Sequence, residues 1–314
     1  PPGPDSVLTP EHVVLGSGGV LGDTWMSGLI AGLLDAGGSD LRRADRFVGT
    51  SAGSIVATRL AAGKDLRSYV ERRFGVTGGS DTAEPGAAAV SSGAHHGVGA
   101  GRLRAPAAGM LRLAGPAGRL LRRSALRAMP RGVEELSRLA LTIERLMPDW
   151  DPRLSLVGVR LNRGERVVMN GEDSLGLSVS EAVRASCAIP GVFRPIESER
   201  GPIVDGGVWS PVNLDAVEPA PGSRVLCLYP SGYRSRPSRR KRVVAGLSRT
   251  RVSLEAAAMR SRGARVAVVG PDPVSAQAIG HDRMDHERDP LVASAAYRQG
   301  NDLATSLDGW LGSV

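Results

Sequence analysis

The chain has 314 residues, 41% hydrophobic but only 4% aromatic, enough for one large α/β domain or two small ones with a core filled mainly by Ala, Val and Leu. No apolar run reaches the roughly 18 residues that would span a bilayer, and two cysteines, Cys187 and Cys227, are too few for a disulfide framework or a cysteine-built metal site, which fits a reduced, cytoplasmic setting. The formal charge of +8 is unevenly placed and would draw the protein to anionic surfaces.

Residues 1–11 read as an N-terminal arm; because the first residue is Pro1 and not Met, a removed leader stays open. His12 to Leu15 is a short apolar strand running into Gly16-Ser17-Gly18-Gly19-Val20-Leu21-Gly22, and Thr24 to Ala36 reads as a helix stopped by Gly37 and Gly38. Phe47 and Val48 end a second strand, and Ala52 to Ala62 carries helix formers. Strand, glycine loop, helix and strand make a βαβ unit, hence a largely parallel sheet covered by helices on both faces.

Between that second strand and its helix lies Gly49-Thr50-Ser51-Ala52-Gly53, a G-x-S-x-G turn. Read as a nucleophile elbow, it lifts the Ser51 hydroxyl into the open at a helix N-terminus, where developing negative charge is favoured. Gly49 and Gly53 then keep side chains out of a tight crossing. Read structurally, Thr50 or Ser51 is an N-cap and the glycines are loop punctuation. The loop from Gly16 to Gly22 departs from the dinucleotide fingerprint, with Leu21 at the third glycine position, and lacks the G-K-[ST] of a P-loop. It remains an oxyanion hole offering the Gly18 and Gly19 amides, or a tight turn without a ligand.

From Val76 to about Gly132 glycine, serine and alanine give way to arginines from Arg102 to Arg131, interleaved with leucines and free of acidic residues. Residues 76–131 read as a lid-like or flexible insert, basic and partly disordered, that could meet an anionic membrane; the lack of aromatics for base stacking argues against nucleic acid. Gly132 to Met147 reads as an amphipathic helix with Val133, Leu136, Leu139, Ala140, Ile143 and Leu146 on one side. Leu154–Leu161 and Glu165–Met169 form a hairpin through Asn162-Arg163-Gly164. Val179 to Ala188 is a helix ended by Pro190-Gly191, and Ile203-Val204 a very short strand before Asp205-Gly206-Gly207. Arg224–Tyr229 and Arg265–Val269 are the last strands, and the basic run from Tyr233 to Arg242 between them reads as a mobile surface loop.

A serine needs a group to take its proton. Asp205 could serve directly, or merely form an Asx turn with its glycines. The order Ser51, Asp205, then His281 or His286 matches α/β-hydrolase triads, although both histidines sit in a charged stretch typical of a solvated surface.

Read together, the glycine loop, Gly49-Thr50-Ser51-Ala52-Gly53, Ala185-Ser186-Cys187-Ala188-Ile189-Pro190-Gly191 and Asp205-Gly206-Gly207 through Asn213 resemble the patatin-like phospholipases, in the family's order from about residue 12 to 215. The resemblance implies a three-layer α/β/α fold, one hydrolase domain over 12–314, and a Ser–Asp dyad working without histidine, cofactor or metal. Ser51 would be nucleophile, Asp205 general base, and Gly18 and Gly19 the oxyanion hole, supported by Gly22, Gly49, Gly53 and Gly206. The substrate would be a lipid or another acyl ester. Leu21 departs from the family loop, which carries a basic residue there, and puts the loop's anchoring in question. An acyltransferase or thioesterase with the same site, or a lipid-binding protein with an impaired one, are the alternatives.

Overall fold

A computed structural model describes residues 9–77, 123–126, 128–130, 132–232 and 239–313, with the backbone alone for 239–249. Most of the expected insert at 76–131 and the first eight residues of the N-terminal arm lie outside the described residues. Among the described residues seven strands form one sheet: β1 (His12–Leu15), β2 (Arg46–Thr50), β3 (Leu154–Arg160), β4 (Glu165–Asn170), β5 (Ile203–Asp205), β6 (Arg224–Leu228) and β7 (Arg265–Val269). The order is β4-β3-β2-β1-β6-β7, with β5 paired to β3. The five strands β3, β2, β1, β6 and β7 run parallel, while β4 and β5 oppose β3.

Side chains alternate across each strand, so one sheet supplies two cores. Val13, Leu15, Phe47, Leu154, Leu156, Leu226 and Leu228 face one side, and Val14, Val48, Val157, Val225 and Cys227 the other. The first side is covered by α1 (Gly19–Asp35), α2 (Ala52–Ala61), α4 (Ser137–Leu146), α5 (Val179–Cys187) and α8 (Asp289–Gly312). The second is covered by α6 (Arg239–Ser261) through Val252, Ala256 and Met259, with Val212, Leu214 and Val217. Two shorter helices are α3 (Leu66–Phe74) and α7 (Pro273–Ile279). This is the mostly parallel, helix-covered sheet expected from the βαβ unit, in the three-layer α/β/α arrangement that the family resemblance implies.

α1 is buried from Leu21 to Leu33 on every side. Its glycines would each weaken an exposed helix by about 1 kcal/mol, but here they admit α8 to backbone contact: a Cβ on Gly32 would stand 2.0 Å from Tyr297 O, and one on Gly28 2.8 Å from Ala293 O. Trp25 Nε1 donates to Gln299 Oε1 at 2.9 Å across the same interface.

Three sequence expectations are corrected. α1 begins at Gly19, not Thr24, because the glycine loop itself turns helical. The helix expected from Gly132 starts at Ser137: Glu134 pairs with Phe193 as an isolated bridge, and Val133 is 77% exposed. In the basic run, residues 239–242 are the first turn of a 23-residue helix, while 233–238 lie outside the described residues.

Candidate active site

β2 leaves the edge of β3 after Thr50, which pairs with Val157, and β5 takes up that same edge at the next position, where Asp205 pairs with Gly158. The opposite edge of β3 is occupied by β4 from Ser155 to Arg160. Thr50 and Asp205 are therefore consecutive neighbours along one strand edge, although far apart in sequence. The fit is close: a Cβ on Gly206 would stand 2.4 Å from Val157 O and 3.2 Å from Thr50 Cγ2.

Ser51 leaves β2 with a positive φ, at φ 55° and ψ −123°, which a non-glycine residue rarely holds unless its surroundings impose it. Here the surroundings do so. Its amide donates to Ser186 Oγ at 2.9 Å, and Ser186 Oγ donates on to Val157 O at 2.7 Å, so α5 props the turn against β3. Gly49 and Gly53 lie where side chains cannot: a Cβ would stand 2.5 Å from Ser54 Cα and 2.0 Å from Leu15 O respectively. Ser51 occupies the N-cap position of α2 without capping it, and its hydroxyl makes no hydrogen bond to another described residue. The N-cap reading is thereby set aside, and the hydroxyl is left to the cavity that Ser51 lines.

Asp205 is 6% exposed. Its Oδ1 accepts the Gly207 N–H at 2.7 Å, and its own amide donates to Ala188 O at 2.9 Å. The Asx turn is present, and it holds one carboxylate oxygen on the Gly207 amide. A hydrogen bond from Ser51 to Asp205 is not made in this arrangement. The Asp205 charge is felt at Cys187, whose thiol is pushed up first by burial and further by that carboxylate, so it stays neutral beside the serine.

Gly18 is the N-cap of α1 and Gly19 its first residue, with φ +66°. Among the described residues neither amide has a hydrogen-bond partner, as expected for the first turn of a helix. Gly22 is less constrained, a Cβ there meeting Pro230 Cβ at 3.3 Å. Leu21, where the resembled family carries a basic residue, is fully buried in the main core. The loop is anchored by other means: Gly16 N donates to Leu228 O at 2.9 Å, Ser17 N to Pro211 O at 2.7 Å, and Leu21 N to Arg283 O at 3.0 Å.

The cavity beside Ser51 measures about 370 Å³. Its lining includes the apolar side chains Ile55, Leu136, Leu139, Ile189 and Phe193 and the polar ones Asp23, Thr24, His286 and Asp289. Asp23 is clamped by Arg59, whose Nη2 reaches Oδ2 at 3.1 Å and whose guanidinium lies 4.3 Å from the Tyr69 ring centroid. His286 is not on the open surface expected of it: it lines this cavity and pairs through Nδ1 with Asp289 Oδ2 at 3.3 Å. The carboxylate it meets at this distance belongs to Asp289 and stands apart from the Ser51–Asp205 pair of the sequence reading. His281 is exposed and does not line the cavity.

Sequence reasoning had singled out neither Ser186 nor Asn213 individually. Both lie inside motif blocks, but their roles are three-dimensional. Asn213 Nδ2 donates to Gly206 O at 3.2 Å and to Ser210 O at 2.9 Å, closing the loop that carries Asp205.

The patatin-like phospholipase family model matches residues 13–217. Among solved structures, VipD from Legionella pneumophila is 16% identical with a TM-score of 0.45, covering 95% of this chain and 67% of its own. The type III effector protein ExoU is 14% identical with a TM-score of 0.37, covering 95% of this chain; the chain spans about half of that protein, 53%. No curated protein matches.

Proposed function

Because the chain belongs to the patatin-like phospholipase family, a family of lipid hydrolases, we propose that it cleaves a lipid acyl ester through an acyl-enzyme on Ser51, with Asp205 as general base. The observation that carries this reading is the propped, positive-φ turn at Ser51, a residue that lines a cavity together with Gly19 and Val20 of the first turn of α1 and the apolar Ile55, Leu136, Leu139, Ile189 and Phe193.

The steps follow from that placement. Ser51 Oγ attacks the ester carbon as its proton passes to Asp205, once substrate closes the contact between the two side chains. The negative oxygen is met by the amides of Gly18 and Gly19, which have no hydrogen-bond partner among the described residues. The carbon–oxygen bond to the leaving alcohol breaks, and the proton on Asp205 goes to that alcohol. Water then attacks the acyl-Ser51 ester, losing its proton to Asp205, and the fatty acid departs as Ser51 is reprotonated. The acyl chain lies along Ile55, Leu136, Leu139, Ile189 and Phe193.

Contact with an anionic membrane belongs to the same proposal. Val133 is 77% and Leu141 54% exposed on the segment that also supplies Leu136, Arg138 and Leu139 to the cavity, and the chain carries a charge of +8. No described helix is long and apolar enough to cross a membrane.

The test gives wild type and Ser51→Ala a phospholipid, a short p-nitrophenyl ester and an acyl thioester side by side, with products identified by mass spectrometry. Release of fatty acid from the phospholipid by wild type alone is expected. Hydrolysis that persists unchanged in Ser51→Ala overturns the reading.

A further inference from the structure

A run of four glycines in seven residues, Gly16 to Gly22, has little conformational preference of its own. Amides that stabilise an oxyanion must nevertheless be held still before substrate arrives. Strand-end contacts hold the beginning of the loop through the amides of Gly16 and Ser17. The rest is held from elsewhere in the chain.

Arg283 touches this loop in three ways. Its carbonyl accepts the Leu21 N–H at 3.0 Å, just past the two amides in question. Its Nη1 donates to Ser231 Oγ at 2.8 Å, and Ser231 Oγ donates to Ser17 O at 2.8 Å, just before them. Its main chain also closes over the turn, since a Cβ on Gly19 would stand 2.9 Å from Arg283 O and 3.0 Å from Met284 Sδ. The guanidinium charge strengthens the Ser231 hydroxyl as a donor, because a hydroxyl that accepts a charged hydrogen bond donates more strongly. Gly18 and Gly19 are thus bracketed on both sides by one residue.

We propose that Arg283 is a positioning residue for the Gly18–Gly19 amides, acting through its own carbonyl on Leu21 and through Ser231 on Ser17. The catalytic unit therefore extends well beyond residue 217, where the family match ends. The buried Leu21 contributes core packing, and the basic group that steadies the loop comes from the segment between α7 and α8. The proposal rests on the reading of Ser51 and the glycine loop given above.

The experiment compares wild type, Arg283→Ala, Arg283→Lys, Ser231→Ala and the Arg283→Ala/Ser231→Ala double variant. Three quantities are read: kcat and KM for ester, the rate of labelling by a fluorophosphonate, and amide hydrogen exchange over residues 16–22. Arg283→Ala is expected to lower kcat and the labelling rate about tenfold with KM within about twofold, and to speed exchange in the loop about tenfold. Lysine, which keeps one charged donor, should recover part of each. The double variant should be no worse than the worse single one, since both break the same relay. Wild-type kcat and loop exchange in Arg283→Ala, or effects of the two substitutions that multiply, overturn the proposal. If wild type neither hydrolyses ester nor takes the label, the reading of the site has failed; the exchange measurement still decides whether Arg283 holds the loop.

Discussion

Asn213 Nδ2 donates to Thr50 Oγ1 at 3.1 Å across 163 residues of sequence, and the same amide reaches Gly206 O. The residue before Ser51 and the residue after Asp205 thus hang on one side chain. Asn213 is itself in a left-handed conformation, φ 52°, which asparagine tolerates better than most residues. Its main-chain N–H donates to Ser210 Oγ at 3.1 Å, and Ser210 Oγ donates to Glu255 Oε2, also at 3.1 Å. Glu255, 4% exposed, accepts the Leu214 N–H at 3.0 Å as well and pairs with Arg251. Burial raises its carboxyl above the ordinary range, Asp215 adds to this, and Arg251 opposes it.

Replacing Asn213 should therefore disturb catalysis more than stability would suggest. Asn213→Ala is expected to lower kcat by about 10 to 100-fold, the scale on which a small misplacement of reacting groups acts. Asn213→Gly removes the same amide but relieves the backbone, so its melting temperature should exceed that of the alanine variant while kcat stays low. Parallel kinetics and thermal melts check this; full activity in the glycine variant would show that the bridge is dispensable.

Asp205→Asn keeps an oxygen for the Gly207 amide and changes little else in the packing. The proposed base is lost, and turnover is expected to fall by at least about a thousandfold, a general base together with its share of transition-state charge. Circular dichroism and a melt close to wild type would assign the loss to chemistry. Substantial turnover would mean that another group takes the proton.

At Gly19 a methyl group meets Arg283 O at 2.9 Å and the backbone has φ +66°. Gly19→Ala should shift the amide and lower kcat about 10²- to 10³-fold, the cost of one oxyanion donor. KM should move far less, and steady-state kinetics separate the two.

Close approach of α1 and α8 predicts a stability difference between two glycines. Gly32→Ala drives a methyl group to 2.0 Å from Tyr297 O, whereas Gly309, exposed in α8, has nothing within 4 Å of the added atom. Urea melts should show Gly32→Ala destabilised by about 1–3 kcal/mol or more. Gly309→Ala should be stabilised by about 0.4–1 kcal/mol.

Glu11 supplies a pH signature. Burial alone would raise its carboxyl, but hydrogen bonds from the Arg224 guanidinium and amide, with the charge beside it, bring it from 4.5 down to about 2. A carboxyl that ionises more readily folded than unfolded stabilises the protein fully above the unfolded value. That contribution is lost as pH falls from about 4.5 through about 2. Glu11→Gln should flatten the decline of unfolding free energy over this window; an unchanged slope would show that the pair contributes nothing.

The strands, the elbow and most helices were legible because each is local. Short apolar runs bounded by turn residues specify the strands, and Gly49 and Gly53 around Ser51 specify a turn where side chains cannot fit. The order of motif blocks identified the family, and with it the pairing of Ser51 and Asp205 as a hypothesis. What the order of residues could not convey was the register on β3 that makes Thr50 and Asp205 consecutive neighbours, since strand pairing is a property of two segments together. Nor could it show that Ser186 props the Ser51 amide, that Asn213 bridges both loops, or that Arg283 brackets the glycines. Hydrogen bonds of this kind leave no periodicity. The same reason explains His286: its charged surroundings in sequence are those of an exposed loop, and only the packing of α8 against α1 turns it into the cavity beside the serine.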